Sequence, residues 1–286
     1  RSEELNPGPG PGPDPEPDPI VRPEIGSYLD ASDAARNMFV HTLHERQAEP
    51  DDHSASDRSV WMRVLNTSTR GTAAAGLVRS SGNDILMQAC GDVFTSTATR
   101  GTARIGLMAG YGRSTFNNIA QGNPALAQAT VKGYAVGAYG SWFADATRAT
   151  GWYTDAWLQY GWFNNHVSAT DFPRVNYNSK LAQGSLELGY TLHLGGQYRL
   201  QPQVQGIYSW QDSQHLMDAA ETQIRLKGGS HGSGRIGLHA FREVGTAGLT
   251  PFADFNVWFD SPASVVFDET LLREDRKKQV YEVDIG

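Results

Sequence analysis

The residues of this chain that could do chemistry are charged side chains whose position on one face of a segment can be predicted from the sequence. Each lies in a segment where apolar and polar residues alternate, and each falls on the polar side of its segment. Side chains that share one side of a sheet meet in a common space, where they are solvated or form ion pairs with neighbouring elements. The charged residues on this polar side include Arg63, Arg104, Asp155, Glu187, Arg199, Arg235 and Asp254.

Histidines and acids also cluster between residues 41 and 53, a composition that raises the question of a metal site. The residues concerned are His41, His44, Asp51, Asp52 and His53. They lack the regular spacing of a metal-binding motif, so a solvated surface is the preferred interpretation. The sequence also contains no GxSxG, HExxH or phosphate-binding loop. We therefore predict no metal, no cofactor and no catalytic residue.

The alternating segments themselves are predicted to be β-strands with one apolar and one polar face. In residues 181–192, LAQGSLELGYTL, apolar and small side chains occupy one face, and Gln183, Ser185 and Glu187 lie on the other. Strict alternation over this length indicates a strand, and its repetition along the chain is typical of a lipid-embedded β-barrel. The aromatic pairs at strand ends, such as Trp142-Phe143 and Trp162-Phe163, favour a membrane barrel with interfacial girdles over a soluble sandwich or barrel.

Ten strands are predicted, the last of which stops within its pattern. They lie near 58–67, 82–94, 102–116, 130–144, 150–166, 177–193, 197–212, 224–243, 248–260 and 278–286. The connections at 94–102 and 143–151 are short, whereas those at 116–130, 164–177 and 212–224 are long. This alternation is typical of an outer-membrane barrel, which has short periplasmic turns and longer extracellular loops. A closed barrel leaves no unpaired edge in lipid, so the chain is expected to be incomplete at its C-terminus.

A helix is predicted before the first strand, from Ser27 to Gln47, with Ser27 and Asp30 as a capping box. About 20 residues at 1.5 Å per residue span roughly 30 Å, the thickness of a hydrocarbon core. The helix carries too many charges to face lipid, but it could fill a polar pore. Its packing residues are predicted to be Ala31, Ala35, Met38, Phe39 and Leu43.

Composition divides the chain into three parts and excludes some partners. Residues 1–24 form a proline- and glycine-rich spacer, 25–57 contain the helix and a polar connection, and 58–286 form the barrel. The formal net charge of −7 and the lack of a basic block argue against a nucleic-acid partner. The single cysteine excludes an intramolecular disulfide.

Several motifs in order resemble the translocator β-domain of classical autotransporters, and most closely the diffuse-adherence adhesin type. They include PEIGSYLDASDAARNMFVHTLHER, GLMAGYG, GYAVGAYGSWF, GWYTDAWLQYGWFNN and GSLELGYTL. The resemblance implies a monomeric twelve-stranded barrel in the outer membrane, threaded by the helix and serving secretion of an N-terminal passenger. It also implies contacts with outer-membrane lipid and with the barrel assembly machinery.

The same resemblance raises the possibility of self-cleavage inside the barrel. Some members of this family cyclise a helix asparagine beside inward-facing acids, and the matching candidates are Asn37, Asp155 and Glu187. This chain has Ala34-Ala35 where such members carry an Asn-Asn pair, and Gln205 stands where a further acid is expected. We therefore expect no self-cleavage.

Two other functions remain open at this level. The chain could be a stand-alone outer-membrane pore, or an adhesin whose loops contact host surfaces. A less favoured alternative is an omptin-like surface protease, which uses aspartate and histidine at the outer rim of a barrel. The candidate residues for it are His166, His215, His231, Asp171, Asp212 and Asp218.

Overall fold

A computed structural model describes residues 21–46, 59–98, 101–144, 150–170, 172–217, 222–242, 251–260, 264–267, 270–273 and 279–286. Two helices precede the strands, α1 (Glu24–Asn37) and α2 (Leu43–Arg46). Within the described ranges, neither helix has the length and apolar character needed to cross a membrane. The spacer residues 1–20 and the acidic residues Asp51 and Asp52 lie outside the described part of the chain.

Ten strands form one antiparallel sheet in the order of the chain. They are β1 (Val60–Ala73), β2 (Val78–Ala98), β3 (Gly101–Ala120), β4 (Leu126–Phe143), β5 (Gly151–Ala169), β6 (Phe172–Gly195), β7 (Tyr198–Gln211), β10 (Gly229–Arg242), β11 (Phe252–Phe259) and β14 (Gln279–Ile285). Helix α1 contacts six consecutive strands, β1 to β6, so the sheet must curl around it. In the described ranges β1 and β14 are the two ends of the strand order.

Four short strands form a second sheet, which we call the upper sheet. They are β8 (Gln214–Met217), β9 (Gln223–Leu226), β12 (Ser264–Phe267) and β13 (Thr270–Arg273). We call the end of the large sheet that carries this upper sheet and the connection 121–125 the upper end, and the opposite end, with the turn 196–197, the lower end. The side chains of Ile224 and Val265 are buried in the same cluster as helix α1.

The large sheet buries its polar face and exposes its apolar face. On β6, Glu187 is 0% exposed, whereas its neighbours Leu186 and Leu188 are 52% and 40% exposed. On β5, Trp157 is buried and Leu158 is 71% exposed. This distribution of polar and apolar side chains is the reverse of that in a soluble protein, and it is stable where lipid covers the outer face.

Glycines on the inner face let aromatic rings lie flat across the strand ladder. Tyr139 lies against Gly106 and Tyr153 against Gly189, and in both cases the two residues are direct partners across the ladder. A Cβ at either glycine would collide with the ring. Gly26 of α1 likewise allows the helix to approach Asn118 of β3 and Val78 of β2.

The prediction of a single helix over 27–47 was wrong. The helix begins at Glu24 after Pro23, so Ser27 is not a cap, and residues 38–42 are not helical. Proline at a helix start explains the earlier beginning, because its missing N–H would have no partner there. Of the five predicted packing residues, Ala31 and Ala35 lie in α1; Met38, Phe39 and Leu43 lie beyond it.

Two predictions about the strands also require correction. The predicted strand 224–243 is divided into β9 and β10, with Gly229 in the left-handed region at φ +114°. The connections predicted to be long at 116–130 and 164–177 are mostly strand, and β3 and β4 are joined through 121–125 only. The region between 212 and 224 contains β8.

We expect an arginine at Leu158 to oppose insertion, because a charge on the lipid side near the membrane centre costs about 2–4 kcal/mol. Leu158→Arg should lower the folded fraction in lipid vesicles, measured by heat-modifiable gel mobility. The matched control is Gln128→Arg, which adds the same charge to an exposed position near the upper end. Equal folding of the two variants would contradict a lipid-facing role for this surface.

Candidate functional site: the luminal segment and the inner face

Residues 21–46, here called the luminal segment, run along the inner face from the upper end of the sheet toward the lower end. At the upper end, the Asn123 side chain donates to the Val21 carbonyl at 3.4 Å, and Arg22 donates to Thr222 at 3.2 Å. Toward the lower end, Arg46 donates to Ser141 at 3.0 Å. The segment therefore extends through the space that the sheet encloses.

Apolar contacts hold the upper part of this segment. Tyr28 and Leu29 of α1 and the following Phe39 are almost fully buried in one cluster with Phe163 of β5 and Tyr177 of β6. The Tyr28 and Tyr177 rings lie 6.0 Å apart, and the Phe39 and Phe163 rings 6.1 Å apart. Burial of this apolar area stabilises the packing of the segment on the sheet, together with hydrogen bonds to α1 such as that from Asn118 to Asp30 at 2.9 Å.

Polar side chains of the sheet bind the backbone of the segment where α1 ends. Gln183 donates to the Arg36 carbonyl at 2.7 Å, and Arg63 donates to the Val40 carbonyl at 2.9 Å. The His41 carbonyl accepts from Trp157 at 3.3 Å and from Gln205 at 3.0 Å. These bonds replace intrahelical bonds, which explains why residues 38–42 can leave the helix inside a buried space.

A line of polar residues crosses the inner face beneath this break, and we call it the luminal row. Each member is the direct ladder partner of the next. In strand order the row comprises Arg104, Ser141, Asp155, Glu187, Gln205 and Arg235. The antiparallel register therefore brings together charges that are up to 131 positions apart in the sequence (235 minus 104).

Asp155 and Glu187 are the two acids of the luminal row, and each binds helix α2. Asp155 is ion-paired with Arg46 and also accepts from Ser141 at 2.6 Å. The Arg46 guanidinium lies 3.9 Å from the centre of the Tyr139 ring. Glu187 accepts from the Leu43 backbone N–H at 3.2 Å and from the Tyr153 hydroxyl at 2.9 Å. Both acids are therefore engaged in holding α2.

The other charges of the inner face have partners of their own. Arg235 is ion-paired with Glu187 at 2.9 Å, and Arg104 with Asp92 at 2.9 Å. Arg63 pairs with Glu45 at 2.8 Å. These pairs balance buried charge, which is what a low-dielectric interior requires.

Asp254 and Arg199 are less buried than the members of the row. Asp254 contacts the His239 ring nitrogen at 2.7 Å, and the His239 ring stacks on His44 at 4.1 Å. Arg199 donates to the carbonyls of Gly196 and Tyr198 in its own turn. The alternation of the sequence shows which face of a strand a residue is on, but not how deeply its side chain is buried.

Asn37 is not placed beside the two acids. Its side-chain amide donates to Asp33 at 2.9 Å, one helical turn earlier. Asp155 and Glu187 instead bind residues 46 and 43. The geometry therefore does not assemble an asparagine with the acids of the luminal row.

The candidates for a metal or a rim protease lie at different places in the fold. The interpretation of the metal candidates as solvated surface was wrong for His41, which is buried and whose ring stacks on Trp157 at 4.9 Å. Among the residues that the structure describes, no group of three or more histidine, cysteine or acidic residues is placed to hold a metal ion. His166 contacts Asn176 at 2.6 Å, and His231 contacts Arg36 at 3.3 Å. Asp212 accepts from the Lys180 backbone N–H at 2.8 Å, and Asp171 and Asp218 lie outside the described ranges.

A curled antiparallel sheet with an apolar outer face, a polar inner face and an internal segment defines a membrane β-barrel whose interior holds a segment of its own chain. Residues 60–270 match the family described as "Autotransporter beta-domain". The chain belongs to this family, which confirms the resemblance drawn from its sequence motifs. Membership places the chain in the bacterial outer membrane.

Relatives and a solved structure agree with this assignment. The chain is 31% identical to the uncharacterized protein YdeU of Escherichia coli K12, over 78% of this chain and 51% of that protein. It is 30% identical to the autotransporter adhesin AIDA-I of Escherichia coli, over 65% of this chain and 16% of the adhesin. The crystal structure of the AIDA-I transport unit superposes with a TM-score of 0.83 at 25% identity, covering 93% of this chain and 88% of that one. The chain thus spans about half of YdeU and a smaller share of AIDA-I.

We expect Arg46→Ala to release α2, because it leaves Asp155 buried without its partner, a loss of about 3–5 kcal/mol. The measurement is single-channel conductance in planar lipid bilayers, where the variant should show more frequent or larger openings. The control is Arg242→Ala, which removes an exposed arginine that donates to Gln197 at 3.1 Å near the lower end and should change the conductance little. Equal conductance for Arg46→Ala and the unaltered protein would rule out a sealing role for α2.

Proposed function

We propose that this chain is the translocator domain of an autotransporter, which anchors in the outer membrane and serves secretion of an N-terminal passenger to the cell surface. The observation that carries the proposal is the course of the luminal segment. Its N-terminal end lies at the upper end of the sheet, beside the upper sheet, and α2 lies toward the lower end. A passenger joined before residue 21 would then emerge at the upper end, which we place outside the cell.

The family and the matched relatives support this function but leave the passenger unidentified. AIDA-I is an adhesin and its crystallised part is a transport unit, as their names state. The proposal takes only the transport role from them. A stand-alone pore or adhesin is less well supported, because the luminal segment runs through the lumen and the described histidines and acids of the upper end do not form a metal-binding group.

The partners follow from the same proposal. The apolar outer face would contact outer-membrane lipid. The outer-membrane barrel assembly machinery is proposed as the partner during insertion, because the strands of a barrel must pair before their backbone groups can enter lipid. No cofactor is proposed.

We further propose that the domain does not cleave its own passenger. Asn37→Ala should leave the ratio of attached to released passenger unchanged, because Asn37 binds Asp33 and not the acids of the luminal row. The ratio is measured by immunoblot of whole cells and culture medium. Asn123→Ala, which alters an asparagine outside the helix, is the control. Loss of release in Asn37→Ala alone would show that this asparagine is the cleavage residue.

Orientation can be tested with single cysteines after Cys90→Ser removes the buried native thiol. Gln121→Cys at the upper end should react with a membrane-impermeant maleimide on intact cells. Gln197→Cys at the lower turn should react only after the outer membrane is permeabilised. Both side chains are exposed, so access across the membrane decides the difference. The reverse pattern would contradict the proposed direction of secretion.

A further inference from the structure

The outward face of β1 to β6 has a one-sided charge distribution. Every acid in these six strands projects inward, namely Asp84, Asp92, Asp155 and Glu187. Arg63 and Arg104 also project inward, whereas the basic residues that project outward from these strands lie only toward the upper end. They include Arg79, Arg113, Lys132, Arg174 and Lys180. The outward surface of this half of the sheet is therefore cationic without internal compensation.

The charge is most concentrated where Arg113 and Lys132 meet. These residues are direct partners across β3 and β4. Like charges directly opposite each other in a ladder are destabilising. Their outward neighbours in the same register are Ile85 on β2 and Asn164 on β5, which are both neutral. An anion bound between the two side chains would relieve this repulsion.

The pair also lies at a defined height relative to the membrane. Two residues below it on each strand, the Tyr111 and Tyr134 rings pack at 5.2 Å on the outward face. Two residues of strand correspond to about 7 Å. Aromatic rings of this kind occupy the membrane interface, so the cations stand just above it. Lipid phosphate groups occupy this height.

The surrounding side chains can supply further hydrogen bonds to a phosphate. Asn164 of β5 is the ladder partner of Lys132, and Asn178 of β6 is the partner of Asn164. Thr115 and Thr130 form the next outward pair above Arg113 and Lys132. Guanidinium and ammonium groups with nearby neutral donors are suited to a phosphate monoester.

We propose that Arg113 and Lys132 bind the phosphate of a phosphorylated glycolipid in the outer leaflet of the outer membrane. The assignment of the upper end to that leaflet rests on the proposed function. The lower half of the outward face in β1 to β6 carries no charged residue among those described. The site therefore selects one leaflet and helps to fix the height of the barrel in it.

The test measures binding of lipid A with two phosphates to the purified protein in detergent. Arg113→Gln combined with Lys132→Gln should weaken binding by about tenfold or more, since each interfacial base contributes about 1 kcal/mol. The control combines Arg199→Gln with Arg242→Gln, which removes the same charge at the lower end and should leave the affinity unchanged. An equal loss in both variants would overturn the site.

Two further measurements keep the proposal testable if the double variant folds poorly. For the unaltered protein, the affinity for lipid A should fall as salt is raised and should be lost for dephosphorylated lipid A. The exchanged variant Arg113→Lys with Lys132→Arg should retain binding. Salt-independent binding, or equal binding of dephosphorylated lipid A, would show that acyl-chain contact alone accounts for the affinity.

Failure of this site is distinguishable from failure of the proposed function. Lipid A binding in detergent does not depend on secretion, and passenger exposure on intact cells does not require this pair. If Arg113→Gln combined with Lys132→Gln abolishes lipid A binding but the variant still exposes its passenger, the site exists and secretion does not need it. Normal lipid binding without passenger exposure in the unaltered protein would count against the translocator role alone.

Discussion

A sheet surrounded by lipid must satisfy its polar groups inward, and the rest of this structure depends on that constraint. The alternation of each strand sends Gln183, Glu187 and Gln205 into the enclosed space, where water or protein must pair with them. The luminal segment provides those partners through its backbone as much as through its side chains. The same residues that make the sheet suitable for lipid therefore also hold the chain that passes through it.

The two parts of the luminal segment are held by different combinations of contacts. Helix α1 and the following Phe39 share an apolar cluster with the sheet, and α1 also accepts hydrogen bonds from the sheet, such as that from Asn118 to Asp30. Helix α2 is held by buried ion pairs and directed hydrogen bonds, which require one geometry.

Much of the sheet could be predicted from the sequence, because alternation is a local property and lipid enforces it strongly. The break after Asn37 could not, since the groups that replace the helical bonds, Trp157 and Gln205, lie more than 110 positions away in the sequence. The strand ends near 120 and 170 were also missed, because strand residues above the lipid need no apolar side and lose the alternation. The alternation of the sequence predicts that Asp155 and Glu187 face the same side of the sheet, but only the pairing register of β5 and β6 shows that they are direct neighbours.

The length of the strands has a consequence for the space above the membrane. β2, β3 and β6 contain 21, 20 and 24 residues, whereas about 9–11 residues suffice to cross a bilayer. At about 3.3 Å per residue and a tilt near 40°, twenty residues rise roughly 50 Å, about twice the height of the apolar band. On the side of the sheet formed by β2 to β6 the surplus stands above the lipid, so a polypeptide leaving beside these strands would emerge at a distance from the lipid headgroups.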